Sequence, residues 1–305
     1  MPCATGRRIC CLVTPERRLG KGRPLTRTDA KTATTSRPLP QWAAAGIGVA
    51  ATVAVWWLAA GTVLAGVGAA ADGSGGAVPT PAAVLGQLAR DGIGFYWPNL
   101  VVTVTEASTG YFWGNVAALL LAGSVLVMPG LERLVTQLAV ISYCLPIVAI
   151  GPLAFIVIGS PARGQASGTA VLLAGISVFF TTVVGALSAL RSADKSSLDV
   201  VTVYGGGRFQ QLIKVQLISA LPGILNALKI AVPAAVLGAI LGEYVGGVDR
   251  GVGPALVNAQ QNLEISRAWG VALVAGLLAG AGYVVFAVIA RFVAPWSAGH
   301  RGAAR

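Results

Sequence analysis

The sequence predicts an all-α membrane protein with about six transmembrane helices. Of its 305 residues, 55% are hydrophobic and only 11% are charged, whereas soluble domains carry about 25% charged residues. Several windows without Asp, Glu, Lys or Arg exceed the roughly 20 residues that a helix needs to cross the hydrocarbon core. These windows are residues 38–71, 107–131, 134–162, 164–190 and 268–290, and a sixth apolar stretch, 222–245, carries Lys229 and Glu243 near its ends. Backbone polar groups in lipid must be satisfied within the segment, so the windows are predicted to be helices.

The distribution of basic residues predicts the orientation of these helices. The predicted spans lie near residues 43–66, 107–128, 136–159, 169–190, 222–245 and 268–291. With the N-terminus inside, the cytoplasmic segments hold seventeen Lys and Arg residues and the outside segments hold four. Basic residues are enriched in cytoplasmic loops, so both termini are predicted to be cytoplasmic. This asymmetry explains most of the net charge of +11. The basic residues lack interleaved aromatics, and no nucleic-acid partner is predicted.

The ends of the chain differ in composition from its apolar middle. Residues 1–40 are rich in Arg, Thr and Pro, which predicts a disordered basic cytoplasmic tail. Residues 41–295 form the predicted transmembrane domain, and residues 296–305 form a short cytoplasmic C-terminal tail that holds the single histidine, His300.

Missing motifs exclude several function classes. The chain has no GxxxxGK[ST] phosphate-binding loop, and one terminal histidine excludes a Ser–His–Asp or Cys–His catalytic set. The cysteines have no metal-binding or CxxC spacing, so no metal, cofactor or enzyme activity is predicted. No acidic residue lies at the centre of a predicted span, which disfavours a proton- or sodium-coupled carrier. A transport function would then use energy supplied by another protein.

The loop between the fourth and fifth predicted spans, residues 192–219, is not a simple polar linker. Apolar residues from Leu198 to Tyr204 favour a short amphipathic helix, which Gly205 to Gly207 would end. A second short helix is expected after Arg208, and Pro222 suits the first turn of the next span. The pattern is typical either of a projecting cytoplasmic knob or of a membrane-surface hairpin.

This loop resembles the EAA motif, EAA-x3-G-x9-I-x-LP, of permease subunits of binding-protein-dependent ABC importers. Asp199-Val200-Val201 stands at the EAA position, Gly205 at the glycine and Val215 to Ile218 at I-x-LP. Asp199 replaces the usual Glu, two valines replace the alanines, and Ile218 replaces the final proline. The shorter Asp side chain keeps the charge and reduces its reach.

Flanking segments extend the resemblance over about residues 40–295, toward the aliphatic-sulfonate, taurine and nitrate branch of these permeases. The stretch ALPGILNALKI, residues 220–230, resembles the opening of the following helix in that branch, with Lys229 at a basic position. The other matching segments are residues 78–88, 99–114, 145–153 and 242–256.

The resemblance implies a type I ABC importer permease-like bundle with a cytoplasmic coupling-helix loop, in a bacterial plasma (inner) membrane. Its implied partners are cytoplasmic ABC ATPase subunits, an extracytoplasmic solute-binding protein and a second permease copy in a homodimer. ATP hydrolysis would occur on the separate ATPase. A carboxylate in the loop suits pairing with a partner Arg. The implied coupling residues are Leu198, Asp199, Val200, Val201, Gly205, Val215 and Leu217.

The substrate path is predicted from unusual residues within the spans. Pro146, Pro152 and Pro233 each remove a backbone hydrogen bond, so they can bend helices for gating or serve only packing. Lys229 is expected to extend toward the cytoplasmic interface, with attraction of an anionic substrate as the alternative. Glu243 is expected to be a structural or gate-lining charge near the outer end.

Two further questions stay open at this level. Gly238 and Gly242, spaced i and i+4, favour a close helix contact that suits either a dimer face or an internal interface. Two other functions, an ATP-independent secondary transporter or channel and a non-transporting membrane scaffold, remain alternatives to an importer. By resemblance the substrate is a small anionic, nitrogen- or sulfur-containing solute.

Overall fold

A computed structural model describes residues 40–68, 76–162 and 164–296, and every regular element among them is helical. The helices are α1 (Gln41–Gly61), α2 (Pro81–Val127), α3 (Glu132–Cys144), α4 (Ile147–Ile158), α5 (Gly168–Arg191), α6 (Lys195–Val203), α7 (Arg208–Gln211), α8 (Leu217–Val245), α9 (Val252–Gln261) and α10 (Ile265–Val293). Internal contacts divide the chain into residues 1–49 and 50–305, and the contacts given below belong to the second unit. The predicted tails lie almost entirely outside the described residues.

Five of the described helices are long and apolar enough to cross a membrane. They are α1, α2, α5, α10 and the continuous stretch Arg208–Val245, which consists of α7, a π-helical turn and α8. A sixth span results if α3 and α4, which meet at an angle of 95°, are counted as one broken span. The predicted class, an all-α membrane protein with about six spans, is therefore confirmed.

The third predicted span is broken and not continuous. The sequence predicts one helix over residues 136–159, but α3 ends at Cys144 and α4 begins at Ile147. Leu145 and Pro146 between them are extended. Proline disfavours the helical conformation of the residue before it and cannot donate a backbone hydrogen bond. Pro146 therefore lies at a sharp corner, and its predicted place inside a helix is wrong.

The second predicted span begins much earlier than the sequence suggested. Helix α2 starts at Pro81, where the Thr80 hydroxyl accepts a hydrogen bond from the Ala83 backbone N–H at 3.3 Å. A kink follows at Gly92, whose φ of 64° is outside the helical range. The sequence placed the start of the span at residue 107, so Glu106 was expected to precede it. In the structure Glu106 lies within α2 and is fully buried.

The second short helix of the loop is continuous with the fifth span. Helix α7 passes through a π-helical turn, Leu212–Gln216, directly into α8. Pro222 consequently lies inside α8 and not in its first turn. Its missing N–H leaves one backbone carbonyl without its helical donor, a defect that spanning helices tolerate when neighbouring groups compensate.

Helix α9 is not among the helices predicted from the sequence. Its apolar residues Val252, Ala255, Leu256 and Ala259 follow the i, i+3, i+4, i+7 spacing of one helix face. Three of the four are buried, and Leu256 is half-buried. The periodic signal was therefore present in the sequence, but it covers only about two turns.

Helix α5 lies between α2 and α8 and packs closely against both. A side-chain carbon added at Gly242 would overlap the Ala170 backbone of α5, and one added at Gly238 would lie 2.7 Å from the Leu173 carbonyl oxygen. On the other side, a carbon at Gly110 of α2 would lie 2.5 Å from the Val171 carbonyl oxygen. Small residues allow such close approach between spanning helices. Gly238 and Gly242 therefore serve an internal contact.

Candidate functional site

The loop between α5 and α8 folds as a helix, a glycine turn and a second helix, as the sequence predicts. Asp194 precedes α6, and its carboxylate accepts hydrogen bonds from the hydroxyls of Ser196 and Ser197. The Ser196 hydroxyl holds the pKa of Asp194 below its usual value. At the other end of α6, Gly205 has a φ of 77°. This left-handed conformation is one that glycine adopts without the cost a side chain would add.

Polar contacts hold the two arms of this turn together. The Gln211 side-chain amide in α7 donates to the Thr202 hydroxyl at 2.8 Å and, at 3.4 Å, to the Leu198 carbonyl oxygen in α6. The Gly206 backbone N–H donates to the Val201 carbonyl oxygen at 2.8 Å. The turn therefore has a defined geometry without a partner protein.

The exposed surface of this turn includes several apolar side chains. We call it the loop face, and it consists of Asp199, Val200, Val203, Tyr204 and Phe209, all of which are exposed. Tyr204 is 87% exposed and Val203 is 84% exposed. The Asp199 carboxylate forms no ion pair with another described residue. Exposed apolar residues beside a charge are typical of a surface that binds another protein or the membrane.

The predicted coupling residues divide into two groups. Asp199, Val200 and Gly205 are exposed, as is Leu217 at the start of α8. The remaining three, Leu198, Val201 and Val215, are half-buried.

Three apolar residues of the loop face, Val203, Tyr204 and Phe209, were predicted as parts of the two short helices but not as coupling residues. Val203 follows Asp199 by four residues, so a helical projection of residues 195–204 places both on one side. That spacing was the available signal.

A cavity of about 620 Å³ separates the loop from the adjacent helix ends. Arg191 of α5 and Glu132 of α3 line it and form an ion pair at 2.7 Å. Gly206, Arg208 and Gln211 line it from the loop. The loop is thus held by its own contacts and by its continuity with α8, and only partly by packing onto the bundle.

The predicted path residues do not form one cluster. Pro152 lies within α4 and Pro233 within α8, while Pro146 is at the α3–α4 corner. Lys229 is twelve residues beyond the start of α8, about 18 Å along the helix. The predicted span, residues 222–245, placed Lys229 only seven residues from its start. Its ammonium nitrogen is 5.1 Å from the centroid of the Tyr283 ring in α10, a cation–π arrangement.

An aromatic groove lies between α2, α8 and α10. Its volume is about 460 Å³, within the range of small-molecule sites, and its ring-bearing residues are Tyr111, Phe112 and Phe286. The Tyr111 and Phe286 ring centroids are 5.0 Å apart. The Tyr111 hydroxyl donates to the Leu228 carbonyl oxygen at 3.0 Å. This groove could not be predicted from the sequence, because its lining comes from three separate helices.

Glu243 is buried near the end of α8 opposite to the loop. Its carboxylate accepts hydrogen bonds from the Thr103 hydroxyl and, at 2.6 Å, from the Gly253 backbone N–H. The buried Glu106 carboxyl is its neighbour, and Glu106 was not among the site residues predicted from the sequence. Thr103 and Glu106 continue a helical i, i+4, i+7 pattern from Asn99, so this polar stripe could have been recognised.

Comparisons with known proteins agree with this architecture. The chain is 28% identical over 191 residues to a probable ABC transporter permease protein of Haemophilus influenzae, covering 61% of this chain and 74% of that protein. It is 26% identical over 277 residues to the riboflavin transport system permease protein RibX of Chloroflexus aurantiacus, covering 90% and 98%. An inward-facing structure of the MetNI methionine ABC transporter matches with a TM-score of 0.53 at 20% identity, covering 66% of this chain and 97% of that one. The structural match concerns the fold.

A family model shows which group of proteins the chain joins. The model described as binding-protein-dependent transport system inner membrane component matches residues 114–298, which is more than half of the chain and includes the loop and α8. The chain therefore belongs to the binding-protein-dependent transport system inner membrane components, as a multi-pass permease subunit of an ABC importer with ATP hydrolysis on a separate subunit.

Proposed function

We propose that this permease transmits ATP-driven motion through the loop face and carries a small nitrogen-containing ring compound. The observation that carries the coupling role is the exposed apolar surface around Asp199 in a turn that is already ordered by its own contacts. An ATPase groove would cover the apolar side chains, and a basic residue of the ATPase would pair with Asp199.

The connection between the loop and the bundle supports this role. Helix α7 is continuous with α8 through the π-helical turn, so no flexible linker separates the loop face from a spanning helix. Movement of the ATPases would therefore displace α8 directly. Because α8 packs closely against α5, the two helices would move together and open the path alternately to either side.

The first test is co-purification of the permease with its ATPase in detergent. Asp199→Arg reverses the exposed charge without removing apolar contact area. It should weaken ATPase retention at least tenfold, since like charges at an interface are strongly unfavourable. The matched control is Asp249→Arg, the same change at an exposed aspartate beyond the far end of α8.

Retention of the ATPase by both variants would show that the loop face is not the docking surface. Failure of the unmodified permease to retain any ATPase would remove the coupling proposal altogether. Melting temperatures of both variants in detergent separate a docking defect from misfolding.

Two observations favour a ring compound as the substrate. The relative named for riboflavin transport matches 90% of this chain, and the groove between α2, α8 and α10 presents aromatic side chains. Aromatic rings stack favourably with planar heterocycles. A sulfonate, taurine or nitrate is the second candidate, and the cationic Lys229 within α8 favours it.

An uptake assay in proteoliposomes with the complete transporter distinguishes the two substrates. The probes are riboflavin, a simple pyrimidine and taurine, each labelled. For a ring substrate, Phe286→Ala should reduce uptake at least tenfold and Lys229→Gln should change it little. For an anion the two effects should be reversed. Leu277→Ala, at an exposed position of α10 outside the groove, is the control. Equal uptake by all variants would contradict both path assignments.

We also propose how the permease assembles and where it lies. The permease would act as a homodimer with two ATPase subunits and receive its solute from an extracytoplasmic binding protein. It would lie in a bacterial plasma membrane with both termini in the cytoplasm. The basic residues of the sequence support this orientation, and it places the loop face on the side where ATP is available.

A further inference from the structure

Two glutamates meet inside the helix bundle, at the end opposite to the loop face. Glu106 of α2 has no exposed surface and Glu243 of α8 is 2% exposed. Glu243 accepts a hydrogen bond from the hydroxyl of Thr103, which lies one helical turn before Glu106 on α2, so the two carboxyl groups are neighbours. We call Glu106 and Glu243 the acid pair. Neither residue has a part in the coupling and substrate roles proposed above.

Three of the four carboxyl oxygens of the acid pair have a donor among the described residues. Glu106 Oε1 accepts from the Ser167 backbone N–H at 2.5 Å, just before α5. Glu243 Oε1 accepts from the Thr103 hydroxyl, and Glu243 Oε2 accepts from the Gly253 N–H at 2.6 Å. The fourth oxygen, Glu106 Oε2, is buried and has no donor among the described residues. A proton held by the acid pair would satisfy this oxygen. The hydroxyls of Ser167 and Thr169 are also buried without a partner among the described residues, so neither of them donates to it.

Among the described residues, no Lys or Arg balances the two negative charges of the acid pair. Neither carboxyl forms an ion pair with a described Lys or Arg. Helices α4 and α9 contain no charged residue, and the only charged residue of α5, Arg191, is at its far end. Asp249 and Arg250, between α8 and α9, are exposed.

The charged groups at the start of α10 are engaged elsewhere. Arg267 donates to the Asp91 carboxylate of α2 at 2.8 Å and also pairs with Glu264.

Two adjacent buried carboxylates without a counter-charge repel strongly in a medium of low dielectric constant, and such pairs retain a proton.

We infer that the acid pair binds one proton, which sits between Glu106 Oε2 and the Glu243 carboxyl and clamps α2, α8 and the start of α9 together. Glu106 is the neutral partner. Glu243 keeps its negative charge, because it receives the Thr103 hydroxyl and the Gly253 N–H in the first turn of α9. The N-terminus of a helix stabilises an anion. The inference goes beyond the proposed function and depends on neither the substrate nor the ATPase.

The proton also connects four segments of the chain. Thr103 accepts from the Val252 N–H at 3.0 Å, and Asn99 accepts from the Gly251 N–H at 3.0 Å, so α2 holds the start of α9 directly. Ser167 adds the segment before α5. Loss of the proton would place repulsion at the centre of these contacts and loosen this end of the bundle.

Infrared spectroscopy of the purified permease in an ester-free detergent tests the inference without any variant. A protonated carboxylic acid has a carbonyl stretch that is separate from the bands of carboxylates and amides. Unfolded glutamate is ionised at neutral pH, so a band at pH 7 from the folded chain reports a retained proton. The band should shift in D₂O and disappear at alkaline pH.

Glu106→Gln should mimic the protonated state. Its amide keeps an acceptor for the Ser167 N–H and supplies the donor that the proton provided. This variant should lack the infrared band and keep the wild-type melting temperature at pH 7. The matched control is Glu132→Gln, which changes a glutamate that forms an exposed ion pair with Arg191. This control variant should retain the infrared band.

The pH dependence of melting provides the second readout. The folded wild type binds a proton that the unfolded chain has released at neutral pH. Its melting temperature should therefore fall relative to that of Glu106→Gln as pH rises above the ordinary pKa of glutamate. The difference should level off in the range in which the band disappears. A wild type without the band would overturn the inference, and sodium-dependent melting in that case would assign the site to a cation. A band that persists in Glu106→Gln would overturn the assignment of the proton to Glu106.

Discussion

At the scale of single residues, the contact between α5 and α8 depends on glycine and alanine, whose small size lets the two helices approach closely. Gly242 lies against Ala170, and Gly238 lies against the Leu173 carbonyl. Spanning helices gain no hydrophobic driving force from lipid, so close packing of small residues contributes much of their association. A single added methyl group at this contact would force the helices apart.

Gly242→Ala should therefore destabilise the permease. The new carbon would overlap the Ala170 backbone, which cannot move aside as a flexible side chain could. We expect the free energy of unfolding to fall by about 1–3 kcal/mol, as for overpacked cores. Denaturation of the purified protein in mixed micelles, followed by circular dichroism, measures this change.

The control for Gly242→Ala is Gly280→Ala in α10, where an added carbon would meet nothing within 4 Å. That variant should be unchanged or slightly more stable, since alanine favours the helix over glycine. Equal stabilities of the two variants would contradict the packing argument.

At the scale of elements, the coupling role depends on the angle between α6 and α7. Gly205 takes a left-handed conformation, whereas Gly207, two residues later, has a φ of −80° and open space around it. The Gln211 amide bonds across the turn only while this angle is kept. The two glycines therefore offer a matched pair of positions within one turn.

Gly205→Ala should weaken ATPase binding, whereas Gly207→Ala should not. A side chain in the left-handed conformation costs roughly 1–2 kcal/mol, so the loop would adopt other turn geometries. We expect ATPase affinity to fall about fivefold to thirtyfold, measured by titrating purified ATPase onto the permease in nanodiscs. If Gly207→Ala weakens binding as much as Gly205→Ala, the turn conformation is not the determinant.

At the scale of the whole molecule, the loop face and the acid pair lie at opposite ends of α8. This separation suits a transporter that opens alternately on its two sides. The ATPase would move the loop face at one end of α8, while the acid pair keeps the helices in contact at the other end. Orientation in the membrane decides which end faces the cytoplasm. The proposed orientation can be tested independently of transport.

Single-cysteine labelling should place the loop in the cytoplasm. The background replaces Cys3, Cys10, Cys11 and Cys144 with Ser, and Lys195→Cys or Arg250→Cys supplies the reporter. A membrane-impermeant maleimide should label the Arg250 variant in cells with intact plasma membranes. The Lys195 variant should react only after permeabilisation, and the reverse pattern would refute the orientation and the coupling proposal with it.

Several features of the protein could be predicted from its sequence alone. Long uncharged windows require helices, because lipid offers no partners to a free backbone, and Gly205 marks the turn of the loop. These are local properties of composition and backbone freedom. The corner at Leu145–Pro146 was missed, since proline permits both a kink and a break, and the choice depends on neighbouring helices.

The long-range arrangement was decided by the tertiary structure. Glu106 and Glu243 are 137 positions apart, and nothing local to either indicates that their carboxyls meet. The same holds for the groove between α2, α8 and α10 and for the internal contact of Gly242. The sequence by itself determined which segments span the membrane and which loop projects, because lipid and backbone chemistry act on each segment separately. Only packing decided which faces meet, because several helix pairings satisfy the same apolar pattern.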